Sequence, residues 1–153
     1  MPIQVAVFVI NADDDGTVAV VFPPFAPKVK FAVEILVLVL FFCVDNGAKS
    51  VFVYCVADEE DIIEAATLAK VANQCMQMKG VNACFVIGRT AVDETRISCR
   101  SDGTINVQLL AEKLNGGGHF TQAACTFKKM SLEQVESRLL SVLNDYLNDA
   151  RII

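Results

Sequence analysis

Read from its N-terminus, the chain alternates apolar stretches with short polar punctuation. Residues 2–10 (PIQVAVFVI) are nearly continuous in apolar and β-branched side chains and predict a strand. Asp13-Asp14-Asp15-Gly16 is a turn signal, and residues 17–22 (TVAVVF) predict a second strand, so the two are expected to form a hairpin. The acidic triplet lacks the alternating spacing and distal Glu of a calcium loop and reads as a solvated turn. Pro23-Pro24 and Pro27 then break the chain. The most apolar run, Phe31 to Val44, follows; it carries Glu34 and ends at Asp45-Asn46-Gly47. At 14 residues it falls short of the roughly 20 that a spanning helix needs, and it predicts a buried strand or core helix. A boundary is expected near 45–49, dividing an N-terminal accessory segment (1–47) of unassigned role from a domain over 48–153.

From Ser50 onward the periodicity becomes regular. Val51–Val56 predicts a strand. Asp58 is placed to cap a helix, with Asp61 in its first turn, and Ile62, Ala66, Ala69, Ala72 and Met76 recur at helical spacing. Gly80 after Lys79 marks a stop. Ala83–Gly88 and Thr95–Arg100 predict two strands joined by a loop holding Asp93 and Glu94. Ser101-Asp102-Gly103 is a turn, and Asn106 caps a helix ending near Leu114, with Ile105 and Leu110 as its hydrophobic staple. Small residues (121–124) lead into a strand at Cys125–Phe127. Ser131 with Gln134 forms a capping box for a last helix that carries Val135, Leu139, Val142 and Tyr146 on one face. The order βαββαβα over 50–150, after a β-hairpin-like N-terminal segment, is α/β: a sheet flanked by helices.

Composition supports a folded domain, since 54% of residues are hydrophobic and 20% charged, enough apolar surface for a core. The net charge of −5 argues against a general duplex nucleic-acid binder, whose affinity comes from cations on phosphate. A small phosphorylated ligand remains open, because backbone N–H groups can hold an anion locally. Cys43, Cys55, Cys75, Cys84, Cys99 and Cys125 sit among apolar residues with no CxxC pair, and read as reduced, buried thiols in a cytoplasmic protein. No cationic n-region of a signal peptide is seen. The apolar N-terminal segment makes homo-oligomerisation a further expectation.

The chemistry concentrates in one segment: Ile97-Ser98-Cys99-Arg100-Ser101, then Ile105-Asn106-Val107-Gln108, then Asn115-Gly116-Gly117-Gly118-His119, then Ala123-Ala124. Glycines allow a ligand to approach the backbone and can form an anion nest. His119 can donate to a phosphate oxygen or stack on a base. Arg100 offers a planar fork suited to phosphate. A GGG run or a lone His would by itself read as a turn or a structural residue; the ordered set is more specific.

That set resembles the DHH-associated domain of DHH-family phosphoesterases, whose pattern is GGGGH followed within a few residues by AA. Gly80-Val81-Asn82-Ala83-Cys84-Phe85-Val86-Ile87 makes it most like the C-terminal part of membrane-anchored bacterial cyclic-di-AMP phosphodiesterases. The resemblance covers about 50–150 and leaves 1–47 unmatched. Asn115 stands where the family has its first glycine, and Cys125 follows the Ala pair in place of a small residue. The resemblance implies that Arg100, Gly116, Gly117, Gly118 and His119 bind the substrate phosphate, with Ser98, Asn106 and Asn115 as secondary candidates. It implies cyclic di-AMP or a related small nucleotide as ligand and a catalytic DHH domain as partner in the complete protein. That domain binds two metal ions, usually manganese, through several Asp and His residues. This chain has one histidine and no Asp-His-His triplet, so it is expected to hold no catalytic metal and to be inactive alone. A binding domain of a DHH oligoribonuclease or exonuclease, and a non-enzymatic interaction module, are the other readings.

Overall fold

The computed structural model describes residues 4–9, 17–19, 28–30, 37–45, 48–57, 59–77 and 80–150, with side chains described over 52–57, 59–77 and 80–146. The expected turn at 13–16, the prolines at 23, 24 and 27, the Asn46-Gly47 turn, and the Asp58 and Lys79 signals lie outside the described residues.

Among the described residues, nine strands and three helices follow in the order β1 (Gln4–Val9), β2 (Thr17–Ala19), β3 (Lys28–Lys30), β4 (Val37–Asp45), β5 (Ala48–Val56), α1 (Ala65–Cys75), β6 (Ala83–Ala91), β7 (Glu94–Ser101), α2 (Val107–Lys113), β8 (Gly117–Gly118), β9 (Gln122–Lys128) and α3 (Leu132–Ala150). Seven strands form one mixed sheet, β1-β4-β5-β6-β7-β9-β8, and β2 pairs with β3 separately. The β5–β6 pair is parallel and is connected through α1; the other neighbours in the sheet are antiparallel. The α/β class and the βαββαβα order over 50–150 are as the periodicity predicts, with the two-residue β8 added.

The expected pairing of the first two strands is not formed. β1 pairs along its length with β4, from Gln4↔Phe42 to Val9↔Val37, and β2 takes β3 as its partner. A six-residue strand finds six backbone partners in the nine-residue β4, whereas β2 has only three residues to offer. The apolar run of 31–44 thus supplies a strand. Asp45 pairs with Ala48 at the end of the β4–β5 ladder.

α1 also starts later than its acidic signals suggest. Its N-cap is Glu64, which makes no side-chain cap bond. After a turn at 59–60, Ile62 and Ile63 instead return to β6: Ile63 N–H donates to Arg89 O at 2.7 Å, and Ile62 bridges to Arg89 in parallel. The β-branched Ile62-Ile63 pair favours this extended path, and the helix begins where Ala65-Ala66 does. Consequently Leu68, Val71, Ala72 and Cys75 form the buried stripe, while Ile62 and Ala66 are exposed.

The main core lies between one sheet face and α2 and α3. It joins Phe52 and Tyr54 of β5, Phe85 and Ile87 of β6, Ile97 and Cys99 of β7, and Leu110, Leu139 and Leu143 of the helices. Each such fully buried side chain contributes roughly 1.5–3 kcal/mol. Val142 and Tyr146 pack at the margin of this core. The smaller opposite layer sits under α1 and holds Val53, Cys55, Cys84 and Val86.

Candidate functional site

Strand alternation sorts the side chains of β7 and β9 onto two faces. Thr95, Ile97 and Cys99 are buried on the α2–α3 side, together with Ala123, Cys125 and Phe127. Arg96, Ser98 and Arg100 face the other way, as do Gln122, Ala124, Thr126 and Lys128. On that second face α1 lies over β6 and β7. Gln122, Thr126 and Lys128 are exposed beyond it. The result is an uncovered shelf of sheet beside the last turn of α1, ending at the glycine edge strand β8.

The glycine segment is built by helix termination. Asn115 has φ 59°, and it donates its N–H to Glu112 O at 3.1 Å, while Gly116 N–H donates to Ala111 O at 2.8 Å. These two bonds make a Schellman motif with Asn115 in the left-handed position. The Gly116 amide is therefore occupied and does not join an anion nest. A Cβ at Gly116 would lie 2.3 Å from Ala124 O and 2.8 Å from Cys125 Sγ, so glycine is required there by packing. At Gly118 (φ 150°) a Cβ would meet Ala123 Cα at 2.5 Å. At Gly117 nothing lies within 4 Å. The three glycines thus divide into two that pack and one that opens outward.

β8 pairs with β9 through Gly117↔Ala124 and Gly118↔Ala123, and His119 N–H donates to Gln122 O at 2.7 Å. Antiparallel alternation then turns the Gly118 N–H away from β9, toward the open sheet edge. Small Ala123 and Ala124 let β8 approach this closely.

Arg100 stands opposite Gln122, which in turn stands opposite His119. Arg100 and His119 therefore share one line across three strands, about 10 Å apart at two strand spacings. The Arg100 guanidinium is held by Asn73 of α1 (Nε to Oδ1, 2.9 Å) and by its own strand (Nη1 to Cys99 O, 2.8 Å). His119 is exposed. Arg96, two pleat repeats away on the same face, has a buried Nε with no acceptor among the described residues.

The secondary candidates have structural duties. Ser98 is buried between Arg96 and Arg100. Asn106 Oδ1 accepts from Gln108 N and Leu109 N at the start of α2. Asn115 ends that helix. Sequence reasoning missed Asn73 and Gln122. Nothing local marks Asn73, whereas the polar alternation of Gln122, Thr126 and Lys128 on β9 was readable.

Manganese prefers hard oxygen and imidazole donors. Among the described residues, the three-member group of candidate ligands whose donor atoms converge is Cys55, Cys75 and Cys84, all thiols. They do not fit manganese.

These elements define an α/β domain whose sheet ends in a glycine edge strand. The DHHA1 domain model matches residues 48–149, and the chain belongs to that family. It is 33% identical over 94 residues to the cyclic-di-AMP phosphodiesterase GdpP of Geobacillus thermodenitrificans, covering 61% of this chain and 14% of that protein. It is 38% identical over 88 residues to the cyclic-di-AMP phosphodiesterase PdeA of Listeria monocytogenes, covering 58% and 13%. It is 36% identical over 62 residues to the bifunctional oligoribonuclease and PAP phosphatase NrnA of Thermus thermophilus, covering 40% and 19%. The chain thus corresponds to a small part of each relative's length. No helix among the described residues is long and apolar enough to cross a membrane.

Proposed function

We propose that this domain is the substrate-holding half of a DHH-type cyclic-dinucleotide phosphodiesterase. The observation that carries the reading is Gly117. It is the glycine with open space on its outer side, it adjoins the outward Gly118 N–H, and it lies near the line that joins His119, Gln122 and Arg100. A phosphate on this shelf approaches the backbone without obstruction, accepts from the edge N–H and from His119, and meets the Arg100 fork. Asn73 keeps that fork in place. The family membership and the two cyclic-di-AMP phosphodiesterases among the relatives support cyclic di-AMP as the ligand.

In this reading the domain positions the phosphate and offsets its charge, two contributions that need no group of its own to react. The manganese-dependent chemistry belongs to a DHH domain, which acts as the partner in the complete, cytoplasm-facing enzyme. A second reading, a domain that holds short RNA, is favoured by the similarity to NrnA.

The test is ligand-induced NMR shifts with cyclic di-AMP, linear pApA and a short RNA. Shifts should centre on residues 116–119, Gln122 and Arg100, with cyclic di-AMP or pApA preferred. Loss of the Arg100 charge-assisted bond is worth roughly 1.5–3 kcal/mol, so Arg100→Ala should weaken binding about 10- to 150-fold. Shifts clustered elsewhere, or affinity unchanged in both Arg100→Ala and Gly117→Val, would refute the site. Preference for RNA would favour the second reading.

A further inference from the structure

Beneath α1, on the same sheet face as the shelf, three thiols converge, and Cys84 stands opposite Arg100 in the register of β6 and β7. Cys55 comes from β5, Cys84 from the neighbouring parallel strand β6, and Cys75 from the last residue of α1. Their sulfurs all lie within 4.8 Å of one another, with Cys55 Sγ and Cys75 Sγ 3.6 Å apart. None is in a disulfide. We propose that Cys55, Cys75 and Cys84 form a closed three-sulfur site for one thiophilic metal ion, with copper(I) as the best fit.

Three arguments lead there. The first is size: an ion bonded to sulfur at about 2.3 Å places three ligands of a trigonal set about 4 Å apart, close to the spacing already present. The second is donor type. Thiolates select soft ions over magnesium, calcium or manganese, and the group contains no carboxylate or imidazole. The third is enclosure. Cys75 and Cys84 are fully buried and Cys55 is 3% exposed. Val53, Leu68, Val71 and Val86 are buried in this layer too, and the polar neighbours across β7 are Ser98 opposite Val86 and Arg100 opposite Cys84. A tetrahedral zinc centre takes four ligands and the converging group supplies three, whereas copper(I) accepts three sulfurs alone. As each sulfur–metal bond forms, the thiol proton leaves to solvent. Entry needs only the last turn of α1 to open, because Cys75 is the residue before its C-cap, Met76. A bound ion would tie that turn to β5 and β6. Asn73, the partner of Arg100, sits on the same turn.

The experiment is anaerobic titration of the full chain with copper(I) buffered by a weak chelator, with X-ray absorption at the copper edge. The expected result is one equivalent bound by three sulfurs and no lighter donor. Cys55→Ala, Cys75→Ala and Cys84→Ala should each weaken binding by more than the roughly 10–100-fold that loss of an outer-shell partner costs. Cys99→Ala, which removes a thiol of the other layer, should bind as the parent does. Circular dichroism reports whether each variant folds. If one does not, the sulfur count in the unaltered protein decides. Fewer than three sulfurs, a nitrogen or oxygen ligand, unchanged affinity in the folded variants, or equal loss in Cys99→Ala would overturn the proposal.

Discussion

At the scale of single residues the glycine segment makes its sharpest distinction. Gly116→Ala must push its Cβ against a carbonyl and a Cα, which are backbone atoms that cannot rotate away. Overpacking of this kind costs roughly 1–3 kcal/mol. Gly117→Ala meets nothing and should leave the denaturation midpoint nearly unchanged. Urea titrations of the two variants check this; equal loss in both would mean that β8 does not pack as described. The contrast also makes Gly117→Val the informative ligand variant, since it obstructs approach without disturbing the layer beneath. Asn115 can be tested in the same way. Its φ of 59° suits Asn or Gly, so Asn115→Gly should be neutral or stabilising, and Asn115→Ala should cost about 1 kcal/mol. Tyr54 offers a test by pH. Its hydroxyl donates to Glu136 Oε1 at 2.9 Å, and burial first, then that bond and the carboxylate charge, raise the phenol above its ordinary value. A raised acid holds its proton more tightly in the folded state. Its contribution is therefore present below the ordinary tyrosine value of about 10 and fades as pH rises through the raised value. Tyr54→Phe should cost about 1 kcal/mol near neutrality, and the difference from the parent should shrink in strongly alkaline unfolding experiments.

At the scale of elements, the caps decide where helices begin. α3 opens with a reciprocal box: Gln134 N–H donates to Ser131 Oγ at 3.2 Å, and Ser131 N–H donates to Gln134 Oε1 at 3.0 Å. Ser131→Ala should cost about 1 kcal/mol, read as a lower thermal midpoint with the same near-neutral spectrum. α2 is capped at both ends, by Asn106 and by the Schellman turn, and these caps compensate for its seven-residue length. α1 has neither a capping side chain at its start nor a basic residue in its last turn. It is held by its buried stripe, which is why its start follows tertiary packing rather than the acidic residues before it.

At the scale of the whole molecule, β4 ties the N-terminal region to the domain. It pairs with β5 over eight positions, from Leu38↔Cys55 to Asp45↔Ala48. From β5 onward the domain carries a core of its own, which joins Phe52 of β5 to Leu143 of α3. A variant beginning at Ala48 is expected to unfold cooperatively but to self-associate more than the full chain, because β5 then becomes a long bare edge. Absence of a cooperative transition would show that the N-terminal strands are integral to the core; sedimentation reports the association. This chain is also expected not to hydrolyse cyclic di-AMP with or without manganese, since two-metal hydrolysis needs several hard ligands together and the sequence has one histidine. Metal-dependent turnover by the purified chain at enzymatic rates would refute that.

What the residues determined by themselves is whatever depends on near neighbours. The strands of 50–130, the Asn106 cap, the Ser131–Gln134 box and the Gly-Gly-Gly-His segment all follow from local hydrogen bonding, side-chain alternation and backbone freedom, so they were legible in order along the chain. The family was legible for the same reason, because its motif is contiguous. Tertiary structure alone decided the rest. Which strand β1 pairs with is a competition between distant partners, and β4 won it by length. The face α1 buries was set by the sheet beneath it, one residue away from the periodicity read along the helix. Gly116 and Gly118 differ from Gly117 only through β9, which no local pattern reveals. Three cysteines spaced 20 and nine residues apart converge because a parallel crossover lays a helix over two adjacent strands, and a chain read residue by residue holds no record of that approach.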